Sequence, residues 1–517
     1  IKLKQGFHRE STQYEEEGKW YDGNHIRFRS GKPENMRGYE TKVSTAFDGS
    51  ARDLITYRSI NNTKRAVFGT SDKLYAHNGD TITDITPIVT AVTLANVFGT
   101  SSGSTRVCCS DAGHGRAVGD YVYFTSTATF NAVSLSTNVY PVTSVVNSGV
   151  FTISVTDAAN ATASDVGSAT FNYLLPTGNS IAVAGLGYGA AAFQATVCAS
   201  QTRAWNEPSS ADASDIVFDI SQWSLDNWGD DVIANRSGGN IYYFDSDAST
   251  VPIRATSITT SPISVNSIVI SPNDRHLICL GANSYSPTAT VSGTFDPMLV
   301  RWSDQDDRTN WVPSLTTTSG EVVLTDGTKI IGGLRSRNAV HIWTDNAMWT
   351  MQFVGPPFTF RFTPVGTNCG MIAPHAAVDY NGISYWMGYD NFYRYDGQVR
   401  VLDCTVRKFI FDRLSTKYKA KVYTGVNSEF KEIIWLYASD ESNVTECDSY
   451  VIFSPENNYW TYGTGVFTTF ADKEVFGNTI TTGVSINASG DSTGYNKLFN
   501  NEPADYYTEN NRTITSF

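Results

Sequence analysis

The chain has 517 residues, enough to bury a large core, and its 27 Tyr, 27 Phe, 11 Trp and 41 Gly with only 17% charged residues suit many short strands joined by tight turns. A formal net charge of −13 excludes a protein whose main task is to grip duplex DNA or RNA, because such binding rests on neutralising phosphates. It remains compatible with an acidic wall past which DNA slides without sticking.

The chain begins at Ile1 rather than Met, so it reads as a segment of a longer product. Residues 18–39 predict two strands joined at Ser30-Gly31-Lys32-Pro33, with Ile26 and Phe28 inward and Arg27 and Arg29 outward. Outward Arg27 and Arg29 are candidates for a subunit or partner contact, or for pairing with Asp22 and Glu34. An aromatic phrase ending in a polar turn then recurs. It reads Lys73-Leu-Tyr-Ala-His-Asn-Gly79, Asn240-Ile-Tyr-Tyr-Phe-Asp245, Met298-Leu-Val-Arg-Trp-Ser-Asp304, Ala347-Met-Trp-Thr-Met-Gln-Phe353, Asn391-Phe-Tyr-Arg-Tyr-Asp-Gly397, Ser449-Tyr-Val-Ile-Phe-Ser-Pro455 and Lys497-Leu-Phe-Asn500. After the first copy and a long gap, the spacing is roughly 45 to 60 residues, the length of a four-stranded propeller blade. The fold class predicted is all-β, a β-propeller of about six blades with an inserted small β-barrel or sandwich, the termini helping to close the ring. Tyr75, Tyr243, Trp302, Trp349, Tyr393 and Phe453 are then expected between or within blades. The best helix candidate spans residues 405–416.

Three regions follow: residues 1–85 as N-terminal strands and a first blade, 86–176 as the insert, and 177–517 as the remaining blades. The insert carries Arg106-Val-Cys-Cys, Asp120-Tyr-Val-Tyr-Phe and Val150-Phe-Thr-Ile-Ser-Val, with turns at His114-Gly115 and Gly119-Asp120 and a core expected from Val122, Phe124, Val145 and Ile153. Its run from His114 to Phe124 resembles a small β-barrel module that recurs in phage tail and baseplate proteins. Residues 177–202 are uncharged and rich in Gly and Ala until Arg203. They predict a loop facing a channel or a neighbouring subunit, with Leu186, Tyr188 and Phe193 as candidate gate residues.

No chemistry-bearing constellation is selected by spacing. Asp304, Asp306 and Asp307 offer oxygen ligands but are expected in a solvated turn over Trp302 and Trp311. Gly99-Thr-Ser-Ser-Gly103 matches a nucleophile-elbow pattern without the strand-to-helix context it needs. The histidines at 8, 25, 77, 114, 276, 341 and 375 show no metal-ligand spacing, and the seven cysteines are expected to be free buried thiols. No catalytic residue, metal or cofactor is therefore assigned.

Ordered phrases over most of the chain outside the insert resemble a family of tail proteins from short-tailed, podovirus-like bacteriophages. They are Trp223-Ser-Leu-Asp-Asn-Trp-Gly-Asp-Asp-Val-Ile-Ala234, Gly238-Gly-Asn-Ile-Tyr-Tyr-Phe-Asp245, Arg301-Trp-Ser-Asp-Gln-Asp, Trp311-Val-Pro-Ser314, Trp343-Thr-Asp-Asn-Ala-Met-Trp, Met351-Gln-Phe-Val-Gly-Pro-Pro-Phe358, Ile383-Ser-Tyr-Trp-Met-Gly388 and Cys404-Thr-Val-Arg407. The resemblance implies a non-enzymatic tail nozzle or hub, related in role to the DNA-stabilisation tail proteins. It implies a homohexameric tube below the portal and adaptor rings, docking surfaces for tail fibres or spikes, and transient passage of double-stranded DNA. No small-molecule substrate is implied, and the location is the virion tail after assembly in the host cytoplasm. The competing readings are a propeller-type tail glycan depolymerase, which needs paired carboxylates in a groove, and a receptor-binding fibre component.

Overall fold

The computed structural model describes residues 3–36, 38–78, 81–125, 127–177, 220–247, 253–287, 293–441, 444–486, 492–501 and 514–516. Among them, seven four-stranded antiparallel sheets form the blades of a β-propeller, one more than the sequence rhythm suggests. Blade 1 is Ala51–Arg58, Lys64–Thr70, Leu74–Asn78 and Thr81–Asp84, and blade 2 is Trp223–Trp228, Asp231–Arg236, Ile241–Phe244 and Thr256–Ser257. Blade 3 is Val265–Ile270, Leu277–Asn283, Phe295–Trp302 and Gly320–Val323, and blade 4 is Ile330–Arg335, Val340–Thr344, Ala347–Gly355 and Thr359–Thr367. Blade 5 is Ala377–Tyr380, Ile383–Met387, Phe392–Tyr395 and Val399–Val401, and blade 6 is Tyr423–Asn427, Glu432–Tyr437, Ser449–Ser454 and Tyr459–Thr464. Blade 7 is Phe467–Ala471, Thr479–Ile486 and Ser492–Asn501, completed by Tyr39–Thr41 from the start of the chain. The first strands touch one another in ring order, blade 7 against blade 1 included.

Each of the seven aromatic phrases falls on the third strand of a blade. A third strand is paired on both edges and covered on both faces, so large flat side chains fill the wedge between blades. Tyr75, Trp302, Trp349, Tyr393 and Phe453 are buried, as expected, while Tyr243 is half-buried with the Arg308 guanidinium 3.7 Å above its ring. Trp343, Trp386, Trp435 and Trp460 are fully buried, and Trp386 stacks on Tyr393 at 5.4 Å between centroids. At about 25 cal/mol per Å² and about 200 Å² per indole, each contributes roughly 5 kcal/mol of transfer free energy as an upper value.

The N-terminal segment is a strap on the blades. Lys4–Phe7 pairs in parallel with Lys19–Gly23, which pairs with Ile514–Ser516. Ile26–Arg29 and Lys32–Asn35 form the expected hairpin, turning at Ser30 and Gly31 with φ 51° and 83°, the two left-handed residues of a tight hairpin turn. The α-helix Arg407–Arg413 lies within the predicted segment.

The chain divides into two compact units, residues 1–85 with 222–517 and residues 86–221. Within the second, Ile88–Thr100, Arg106–Ser110, Val150–Ser154, Val139–Asn147, Tyr121–Phe124 and Ala163–Leu174 close into a six-stranded barrel. Val122, Phe124 and Ile153 are buried in its core, and Phe98 stacks on Phe130 at 4.6 Å. Gly167 sits where the long strand kinks, with φ 65°, and a Cβ there would lie 3.0 Å from Phe130 and 3.1 Å from Phe98. The cysteines differ from expectation: Cys109, Cys279, Cys369, Cys404 and Cys447 are free and buried, but Cys108 is disulfide-bonded.

Candidate functional site

Propellers usually present ligands at the mouth of their axis, so the first strands are the place to look. Packed side by side around the axis, they leave backbone donors facing a neighbouring blade rather than water, and such donors need acceptors. Asp53 supplies one: its carboxylate accepts the Leu54 N–H at 2.9 Å and, from blade 2, the Leu225 N–H at 2.7 Å. Asp226 repeats the device one blade on, accepting the Asn227 N–H at 2.8 Å and the Ile270 N–H of blade 3 at 2.7 Å. Burial raises both carboxyls above the usual carboxylate range, opposed at Asp53 by His375 and the two N–H donors, and at Asp226 by Arg335.

Other side chains cross the axis between blades that are not neighbours. His375, leading into blade 5, places Nε2 2.7 Å from the Trp223 carbonyl of blade 2. Tyr423 of blade 6 donates its hydroxyl to Asp53 of blade 1 at 3.3 Å. Gln222 donates to the Ala420 carbonyl at 2.7 Å, and between the adjacent blades 2 and 1 Trp223, itself seated on Gly69, donates to the Thr70 carbonyl at 2.8 Å. The axis is thus filled at this level by polar staples.

Beside them, Arg52 holds Glu446 at 2.5 and 2.8 Å, and Lys421 donates to the same carboxylate at 2.6 Å. Burial raises the Glu446 carboxyl, but the Arg52 and Lys421 charges outweigh it and leave it below its ordinary value. A carboxyl lowered on folding contributes stability that is present above the ordinary carboxylate range and lost as pH falls through the folded value. Glu446→Gln should therefore cost about 2 kcal/mol at neutral pH and flatten the acid side of the stability curve measured by calorimetry. An unchanged acid limb would remove Glu446 as its source.

Two arrangements imitate active sites. Asp274, His276 and Thr318 stand in the order acid, imidazole, hydroxyl, with His276 Nδ1 on Asp274 and Nε2 3.0 Å from Thr318 Oγ1. The Thr318 hydroxyl, however, donates to Asp304 at 2.6 Å, so its proton is not offered to the imidazole. In the acidic turn, Asp304 also accepts the Gln305 and Thr318 N–H groups, Asp306 pairs with Arg275, and Asp307 accepts from Thr309, all above buried Trp302 and Trp311. Among the described residues, no three His, Cys, Asp or Glu side chains are grouped to hold a metal.

No protein-family model and no curated protein matches the chain. Among solved structures, the computationally designed protein Ika8 is similar at 10% identity, covering 91% of this chain and 100% of that one, with a TM-score of 0.36. Hsv2 of Kluyvelomyces marxianus is similar at 8% identity, covering 56% of this chain and 74% of that one, with a TM-score of 0.31. The endosialidase of phage phi92 is similar at 12% identity, covering 95% of this chain and 74% of that one, with a TM-score of 0.17. Nothing about function passes from these likenesses, and the propeller itself rests on the strand pairing.

The residues singled out from sequence are not brought together. Arg27 corrects the expectation of an outward side chain: it is 2% exposed, bonded to Glu432 at 3.1 and 2.8 Å, and seated 3.5 Å from the centre of the Phe430 ring. Blade 6 covers the hairpin face on which it stands, so its charge is met inside the chain rather than by a partner. Arg29 remains exposed, 3.6 Å from Glu34. Leu186, Tyr188 and Phe193 lie outside the described residues. Asp53 and Asp226 escape sequence reading: Asp226 is a lone Asp in an otherwise uncharged strand, and Asp53 stands directly after Arg52 like half of an ordinary charged pair.

Proposed function

We propose that the chain is a subunit of the tail nozzle or hub of a short-tailed bacteriophage, a homohexameric tube that retains and then conducts the genome. The observation that carries this reading is the set of polar bonds that tie the blades together across and around the axis. An enzyme on this architecture would need its axial mouth open for substrate, whereas here Asp53, Asp226, His375 and Tyr423 are committed to holding blades together, as a rigid scaffold requires. Bonds that cross the axis stand in the way of DNA within one copy, so in this reading the conduit is the hole enclosed by several, and a net charge of −13 per copy suits a wall past which DNA slides. The ordered phrases that resemble the tail family add the adaptor ring and the fibres or spikes as partners. The test is electron microscopy of the purified protein, alone and with the adaptor. Six-fold rings with a central hole are expected. A monomer that releases sugar from host polysaccharide would replace this reading with a depolymerase, and a trimer with a fibre component.

A further inference from the structure

We propose that a groove between the N-terminal strap and the segment leaving blade 5 binds an acidic saccharide, one sugar unit carrying a carboxylate. The groove encloses about 520 Å³, within the range of small-ligand sites, which begins at roughly 300 Å³. Its walls are fixed to each other by three hydrogen bonds: Thr405 Oγ1 to the Phe7 carbonyl at 2.5 Å, the Arg9 N–H to the Thr405 carbonyl at 2.8 Å, and the Lys408 N–H to Glu10 at 2.9 Å. It is therefore a preformed surface rather than a gap between loose loops.

His8 lines this groove, is 5% exposed, and has an Nε2 with no hydrogen-bond partner. A buried, unpartnered ring nitrogen is costly in a native fold and calls for an explanation. Burial first, and the Lys19 and Lys4 charges second, lower its pKa and keep the ring neutral, while its hydrogen bond with the Gln5 backbone favours the proton on the other nitrogen. Nε2 is then a lone pair waiting for a donor, and a sugar hydroxyl is one. The lining carries Lys4, Lys19 and Arg407 against Glu10, Glu16 and Asp403. Glu16 is taken by Lys19 at 2.6 Å and Glu10 accepts the Lys408 N–H, whereas Lys4 and Arg407 have no carboxylate partner among the described residues, Arg407 donating to the Asp390 carbonyl at 3.4 Å. Either cation can take a ligand carboxylate, which an Arg binds through paired N–H groups. Asn391 and Asp403 supply the mixed donors and acceptors that ring hydroxyls use, and the lining is mainly polar. A ligand with an apolar side chain is disfavoured by that lining. The inference does not depend on the assembly state.

The test is calorimetric titration of the full chain with glucuronate, N-acetylneuraminate, glucose and aspartate. Saturable binding of at least one acidic sugar is expected, with glucose about tenfold weaker, the worth of one charge-assisted hydrogen bond, and aspartate weaker because it lacks the ring hydroxyls. Lys4→Ala and Arg407→Ala should each lower that affinity about tenfold, and His8→Phe should remove it, whereas Lys417→Ala, outside the groove, should leave it unchanged. Lys4 is exposed and Arg407 is a surface residue, so those two variants decide the matter should His8→Phe fail to fold. Absence of saturable acidic-sugar binding at concentrations on the order of 10 mM, equal binding of glucose or aspartate, or indifference to both cation variants would overturn the site. Ring symmetry in the microscope is a separate readout, so either reading can fail alone.

Discussion

Glu432→Ala should destabilise the propeller by about 3–5 kcal/mol, the usual penalty for leaving one partner of a buried ion pair alone. Both side chains of the Arg27–Glu432 pair are 2% exposed, and the Tyr459 hydroxyl donates to the same carboxylate at 3.4 Å. Truncation at Glu432 would leave a guanidinium out of water against Phe430 without the carboxylate it is bonded to. The damage should not stop at the pair. Arg27 stands between Ile26 and Phe28, whose side chains fill the cluster that also holds Phe7 and Trp460, so the hairpin and the strap before it should loosen together. Urea unfolding should show a lower midpoint at unchanged slope, and limited proteolysis should cut the strap first. Arg27→Met combined with Glu432→Leu removes both charges and should recover most of the loss. A double variant as unstable as the single one would show that the hairpin's packing, not the ion pair, holds it.

What was legible in the sequence follows from where each strand sits. The third strands must fill the wedge between blades, so Tyr75, Trp349 and Phe453 carry the same aromatic signature, and the blade repeat could be read from them. Seven phrases meant seven blades, although the rhythm suggested about six: blade 7 takes its fourth strand, Tyr39–Thr41, from the far end of the chain, so no local run there looks like a whole blade. The first strands share no phrase, since Trp223-Ser-Leu-Asp-Asn-Trp228 and Val265-Asn-Ser-Ile-Val-Ile270 mix large apolar and polar residues without a common pattern. Likewise, Arg27 and Glu432 meet across 405 positions, and spacing cannot report a contact made by ring closure. Nothing in the sequence marks His8, since its unpartnered nitrogen is a property of its burial and not of its neighbours in sequence.

Asp53→Asn and Asp226→Asn should each cost about 1–3 kcal/mol, the price of an orphaned buried donor. Asp53 accepts at both oxygens, Leu54 N–H and the Tyr423 hydroxyl at one and Leu225 N–H at the other, so an amide must turn its NH₂ toward one of these donors. The same holds at Asp226, between the Asn227 and Ile270 N–H groups. The pH dependence separates these staples from the Arg52–Glu446 pair. Burial raises the two aspartic carboxyls in the folded protein, so their contribution is fully present below the ordinary carboxylate range and is lost as pH rises through the folded values. The asparagines do not titrate, so the penalty of either substitution should be largest in acid and shrink as pH rises. That of Glu446→Gln should grow over the same interval, because the Glu446 carboxyl is lowered. Calorimetric melting of the three variants across the acid range reads both trends at once. Parallel curves for all three would mean that the aspartic carboxyls are lowered on folding as that of Glu446 is, and a flat penalty would mean that they behave as surface carboxylates; either result would overturn the account of buried aspartates fastening the blades around the axis.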